Sequence, residues 1–138
     1  MKNAGSGSPN KLLYTGFIGG PPSCGGGSNT DDVAIPDAGA AVTSSVVVSG
    51  CDGVGTASTS VKVDINHSYT GDLAIDLVGP SGAVFVLRKA GGVGSSAGVH
   101  ETLTVNTSSE TKNGTWKLRV TDVYSYDTGN IDGWSITF

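Results

Sequence analysis

Between Val61 and Arg88 the chain changes sides at every residue. Val61-Lys62-Val63-Asp64-Ile65 alternates apolar with charged positions, and Ser68-Tyr69-Thr70-Gly71 interrupts it. Asp72-Leu73-Ala74-Ile75-Asp76-Leu77 then resumes the alternation. After Gly79-Pro80-Ser81-Gly82 comes a third run, Ala83-Val84-Phe85-Val86-Leu87-Arg88. A period of two sends alternate side chains to opposite faces of a strand, so one face meets a core and the other meets water. Gly and Pro at the breaks supply the backbone angles of tight turns. The stretch is an antiparallel meander, because no helix gathers Val61, Val63 and Ile65 on one stripe.

The same reading extends along the chain. Asp31–Asp37 reads as a short edge strand ended by Pro36. Val42–Ser49 reads as a strand with Val46-Val47-Val48 buried on both faces or against the linker before it. Glu101–Asn106 alternates again. Thr115–Thr121 sends Trp116, Leu118 and Val120 inward, and Asn130–Phe138 sends Trp134, Ile136 and Phe138 to one face. Trp116, Trp134, Leu73, Ile75 and Phe138 are therefore the expected core. These runs amount to about eight strands separated by turns, an all-β chain folded as a β-sandwich. With 22 glycines and only 14% charged residues in 138, composition agrees, since long helices draw on Lys, Glu, Leu and Ala. The Gly-rich stretch Gly91–Gly98 reads as the most mobile part.

Several function classes are disfavoured at this stage. A net charge of −4 with no Lys/Arg cluster speaks against nucleic acid. No apolar run approaches a membrane span. Met1-Lys2-Asn3 leads into Gly and Ser rather than an apolar leader, so the chain is expected to be a piece of a longer protein. Cys24 and Cys51 are the only cysteines, both in Gly-rich turns without metal-ligand spacing. That favours a disulfide and an oxidising, extracellular home. The alternative is two free thiols in a cytosolic chain.

Two stretches resemble one family. His67-Ser68-Tyr69-Thr70-Gly71-Asp72-Leu73 through Asp76-Leu77-Val78-Gly79-Pro80-Ser81-Gly82 is similar to the central motif of the P domain of proprotein convertases and bacterial subtilases. Asn113-Gly114-Thr115-Trp116-Lys117-Leu118-Arg119-Val120-Thr121-Asp122, then Asp127-Thr128-Gly129 and Gly133–Phe138, looks like the same family's C-terminal signature. Gly5–Tyr14 resembles the last residues of a proteinase K-like subtilisin catalytic domain. The resemblance implies a jelly-roll sandwich over residues 31–138. Ahead of it lie a Gly/Pro-rich linker over 20–30 and, over 1–19, a catalytic-domain tail or appended leader. It also implies a non-catalytic, secreted C-terminal module whose partner is the catalytic domain of the same polypeptide, a subtilisin-type serine endopeptidase. Thr70 stands where convertases often carry a basic residue, so dibasic processing is not implied.

Candidate chemistry is sparse. Ser96 in Gly94-Ser95-Ser96-Ala97-Gly98 matches a nucleophile elbow in form, and Gly92–Ala97 imitates a dinucleotide fingerprint. Both need a following helix that the sequence does not offer. No catalytic residue is assigned. Calcium is the cofactor the acidic turns suit, because hard cations take carboxylate and carbonyl oxygens. Asp31, Asp32 and Asp37 form one candidate group, and Asp72, Asp122 and Asp127 the other. Asp72 and Asp127 are also expected to accept main-chain N–H bonds and hold their turns. Tyr69, Tyr124 and Tyr126 are candidate contacts to an insoluble protein substrate, the alternative function being a substrate-tethering module.

Overall fold

A computed structural model of the chain describes residues 24–138. The expected catalytic-domain tail over 1–19 and the first part of the linker lie outside the described residues. Nine strands are found among the described residues. They are β1 (Gly26–Asn29), β2 (Val33–Ile35), β3 (Val42–Val48), β4 (Thr59–His67), β5 (Leu73–Val78), β6 (Val84–Arg88), β7 (Val99–Val105), β8 (Gly114–Asp122) and β9 (Gly129–Thr137). One sheet runs β3-β8-β5-β6 and the other β1-β9-β4-β7, with β2 also paired to β9. Every pairing is antiparallel, and the two sheets face one another as a jelly-roll β-sandwich.

The alternation decides what goes inside. On β4, Val61, Val63 and Ile65 are sealed from solvent while Lys62 points out. On β5, Leu73, Ile75 and Leu77 are equally buried, and on β8 Trp116, Leu118 and Val120. In β9 the register shifts between Ile131 and Gly133. That bulge changes the parity of the strand, so Ile131, Trp134 and Ile136 all reach the core while Asp132 is put into water. Trp134 Nε1 donates to Ser44 Oγ of the opposite sheet at 3.0 Å. At the other end the Trp116 and Phe138 rings meet with centroids 5.4 Å apart.

Three expectations change. Val46 and Val48 are buried, but Val47 between them is 55% exposed, because β3 is an edge strand with one wet face. Residues 26–29, linker by composition, form β1, with Gly26 against Thr137 and Gly27 against Ile136. Gly26 sits at φ 134, and a β-carbon there would run into the Ile136 carbonyl, so no side chain fits. A glycine-rich strand thus contributes backbone pairing without an apolar signature. Gly91–Gly98, expected to be mobile, is tied to the turn at Thr70–Asp72. Gly91 N–H donates to Gly71 O at 2.8 Å, and Thr70 N–H to Ser95 O at 2.9 Å.

Cys24 and Cys51 form a disulfide, their α-carbons 5.2 Å apart and 27 positions apart in sequence. It pins the start of β1 to the loop between β3 and β4. Closing a loop of this length contributes about 3–4 kcal/mol on the chain-entropy model. Urea unfolding of the chain with and without reductant is expected to show a loss of about that size.

Candidate functional site

At one end of the sandwich four segments converge: the end of β4, the 3-10 turn Thr70–Asp72, the Gly91–Gly98 loop and the loop after β8. The turn itself is wholly buried. His67, the last residue of β4, and Asp122, the last of β8, bring Nε2 and Oδ2 to 2.9 Å with both side chains fully buried. His67 Nδ1 accepts the Tyr69 N–H at 3.0 Å. That fixes the tautomer: the imidazole is neutral, and its Nε2–H donates to Asp122. Asp122 Oδ1 accepts the Tyr124 N–H at 3.2 Å. The two side chains therefore hold the loops that follow their own strands.

Asp72 does not play the turn-holding role expected of it. Its backbone does: the N–H donates to Tyr69 O at 3.1 Å, and its carbonyl accepts from Val123 N–H at 2.9 Å. The side-chain Oδ2 is sealed from solvent with no hydrogen-bond partner. Burial pushes the Asp72 carboxyl above its ordinary range, Asp127 within hydrogen-bonding reach pushes it further, and Asp122 adds to both. Asp127 accepts not a main-chain N–H but the Ser68 hydroxyl, at 2.8 Å to Oδ1. Ser68 Oγ in turn accepts Thr128 N–H at 3.0 Å, clasping the β4 end to the last loop.

The three tyrosines share this end. Tyr69, Tyr124 and Tyr126 are 39%, 51% and 95% exposed, with Val93 at 94% on the neighbouring loop. Tyr126 is held at φ 87, its N–H donating to Asp37 Oδ2 at 3.1 Å.

The sequence-derived acidic groups separate. Asp72, Asp122 and Asp127 come together. Asp31, Asp32 and Asp37 do not: Asp31 N–H bonds Asn29 Oδ1, Asp32 accepts from Asn130 Nδ2 at 3.4 Å, and Asp37 reaches the tyrosine loop. Asp32 instead lies beside Asp132, which lines an open cleft of about 370 Å³ on the outer face of the β1-β9-β4-β7 sheet. Hydrogen-bonding proximity and the charge of Asp32 raise the Asp132 carboxyl. Lys62 and Asp64 line the same cleft, and Asp64 Oδ1 lies 3.2 Å from His100 Nδ1. Among the described residues no group of three or more His, Cys, Asp or Glu side chains is placed to hold a metal ion.

Both nitrogens of His67 are spoken for, and Ser96 sits in a turn followed by strand β7. Sequence reasoning missed Ser68 and also Glu110, a buried carboxylate accepting Ser81 N–H at 2.9 Å and Ser81 Oγ–H at 2.6 Å. These partners lie 59 and 29 positions apart, so no local pattern announces them.

A sequence profile of the proprotein convertase P-domain matches residues 56–138. The chain belongs to this family. Strands β1 to β3, ahead of the matched segment, complete the same two sheets. This P domain is 51% identical over 134 residues to the transglutaminase-activating metalloprotease of Streptomyces mobaraensis, covering 95% of the chain and 18% of the relative. It is 50% identical over 111 residues to leupeptin-inactivating enzyme 1 of Streptomyces exfoliatus, covering 80% and 25%. With the extracellular basic protease of Dichelobacter nodosus it shares 36% over 106 residues, 77% of the chain and 17% of the relative. The P domain thus spans a quarter or less of these relatives. The serine protease of Aeromonas sobria superposes with a TM-score of 0.61 over 87% of the chain and 27% of that structure. The same protease in complex with its chaperone gives 0.60, covering 84% and 27%. At 18% identity both likenesses are ones of fold. No helix among the described residues is long and apolar enough to cross a membrane.

Proposed function

We propose that this P domain is a non-catalytic module of a secreted endopeptidase, docked on the catalytic domain of the same polypeptide and stabilising its folded form. The observation that carries this reading is the family match together with relatives that are proteases several times its length. A docking face is at hand. On edge strand β6, Val84 and Val86 are 47% and 58% exposed, and Val84 lies beside Val78 of β5 on the outer face. A module that buries surface only on the folded enzyme shifts the folding equilibrium by mass action, with no chemistry of its own. Gly5–Tyr14 supports a subtilisin-type serine peptidase as the parent; the Streptomyces mobaraensis relative, a metalloprotease by name, weighs against that finer assignment.

The test compares the parent enzyme with and without residues 31–138, and with Val84 and Val86 both changed to Glu. The deletion is expected to lower heat resistance and the yield of active enzyme, and the double substitution to reproduce part of the loss. Equal heat resistance and yield in all three forms reject the reading.

The exposed tyrosines favour a second reading, a module that tethers the peptidase to insoluble protein such as collagen or keratin and raises its local concentration. Retention of the isolated chain on such fibres, lost when Tyr124 and Tyr126 become Ala, separates this reading from docking.

A further inference from the structure

We propose that Asn113 is a deamidation site guarded by the Cys24–Cys51 bridge, so that reducing the bridge opens it to a one-way change that hinders the bridge from closing again. Asn113-Gly114 is the one Asn-Gly pair in the chain. This pair is the reactive one because glycine carries no side chain to shield its nitrogen. The Gly114 nitrogen, shedding its proton to water, bonds to Asn113 Cγ; the Cγ–Nδ2 bond breaks and ammonia leaves. Water then opens the cyclic imide on either side, leaving an aspartyl or an isoaspartyl residue at position 113. Water is the only co-reactant.

The fold restrains both reacting groups. Asn113 Nδ2 donates to the Cys51 carbonyl at 2.6 Å, and its Oδ1 accepts the Cys51 N–H at 2.9 Å. The side-chain amide thus pairs with the main chain of Cys51 as a neighbouring strand would, and Cγ is held away from the next nitrogen. The Asn113 carbonyl accepts the Thr111 hydroxyl at 2.7 Å, and Gly114 opens β8 in register with Val48 of β3. Asn113 itself lies at the surface, so water reaches it. Its protection is therefore one of geometry and not of burial.

The clamp is only as firm as Cys51. That residue is 6% exposed at the rim of the core but belongs to no strand, and it lies between Gly50 at φ 72 and Gly53 at φ 83. The ties of its segment include the bridge to Cys24, the Lys112 N–H on Gly53 O at 3.1 Å and the pairing of Val54 with Thr111. A thiol reductant takes the bridge by exchange: it becomes a disulfide, and Cys24 and Cys51 become thiols. A segment with fewer tertiary ties opens locally well before the whole fold does, and each opening lets Asn113 Cγ turn to the Gly114 nitrogen. Afterwards the acid has no N–H for the Cys51 carbonyl, so two acceptors face each other where a hydrogen bond stood. An isoaspartyl link also adds a carbon to the main chain just ahead of β8 and displaces its start from Val48. Either product draws Cys51 away from Cys24. The inference stands independently of the docking reading.

The experiment incubates the 138-residue chain at mildly alkaline pH with and without excess dithiothreitol, and reads residue 113 by peptide mass spectrometry. A synthetic peptide of residues 109–117 gives the unrestrained rate. The oxidised chain is expected to keep its amide. The reduced chain is expected to lose it at least roughly tenfold faster, the factor that about 1.4 kcal/mol of lost local stability supplies. In a second arm Asn113→Asp, reduced and returned to a glutathione buffer, is expected to re-form the bridge less completely than wild type at the same thiol ratio. Equal rates with and without dithiothreitol overturn the proposal. So does an oxidised chain that deamidates as fast as the peptide, because the clamp then restrains nothing. An Asn113→Asp chain that closes the bridge as readily as wild type overturns it too. Should that variant fail to fold, the rate comparison, which needs no substitution, decides.

Discussion

Truncating Trp116 to alanine is expected to lower the stability of the P domain by about 3–5 kcal/mol. The indole is fully buried on β8, the strand flanked by β3 and β5 in its sheet, and its nearest cross-strand partner is the buried Val46. Three losses combine. The apolar surface returns to water, and β8, hydrogen-bonded on both sides, cannot shift to close the cavity. The Lys112 carbonyl loses the Nε1–H that reaches it at 2.9 Å. The Phe138 ring, tilted 58° to the indole, loses an aromatic contact of about 0.5–1.5 kcal/mol and is left to anchor the chain end alone. A domain of this size has about 5–15 kcal/mol in all, so one residue carries a large share. Urea unfolding followed by far-ultraviolet dichroism measures it. Tyr126→Ala, a 95% exposed side chain, is the control and is expected to change stability by less than about 0.5 kcal/mol. If the two variants unfold at the same urea concentration, the indole is not the keystone of this core.

How much of this was legible in the sequence depends on the range of the interaction concerned. The strands with strict alternation, β4, β5 and β8, were readable because a period of two leaves no other way to bury Val61, Ile75 and Leu118 together. The tight turn at Gly79–Gly82 was readable for the same local reason. Strand β1 was not, since Gly26-Gly27-Ser28-Asn29 pairs only through its backbone, and the bulge at Asp132 was not, since it alters parity without altering composition. The candidate site was half readable. The aspartates announced themselves as turn residues, and Asp72, Asp122 and Asp127 do meet. Nothing in the sequence showed that Asp122 would spend itself on His67, 55 positions away, or that Asp72 would be left without a donor. Such assignments come from the sheet registers, which bring the ends of β4 and β8 to one place.

The second large effect follows from that division of labour. Asp122→Ala is expected to cost about 3–5 kcal/mol, although it removes a small polar side chain and deletes one of three clustered negative charges. Two donors lose their acceptor at once: His67 Nε2–H, fully buried, and the Tyr124 N–H. Each orphaned donor costs about 1–3 kcal/mol, and water has no path to His67 to replace the bond. The relief of Asp72 from a like charge works in the opposite direction but is weaker, because Asp127 and burial still act on it. Asp122→Asn keeps the shape and one acceptor while turning an NH₂ toward a second donor, so its cost falls between those of wild type and Asp122→Ala. Asp127→Asn behaves differently: it retains an oxygen for the Ser68 hydroxyl and offers Asp72 a donor, so it is neutral or stabilising. A double-mutant cycle of His67→Ala with Asp122→Ala is expected to give a coupling energy above about 1 kcal/mol. Equal, small losses for Asp122→Ala and Asp127→Asn in urea unfolding defeat this account, since they would mean that His67 finds another acceptor and that the carboxylates at this end are interchangeable.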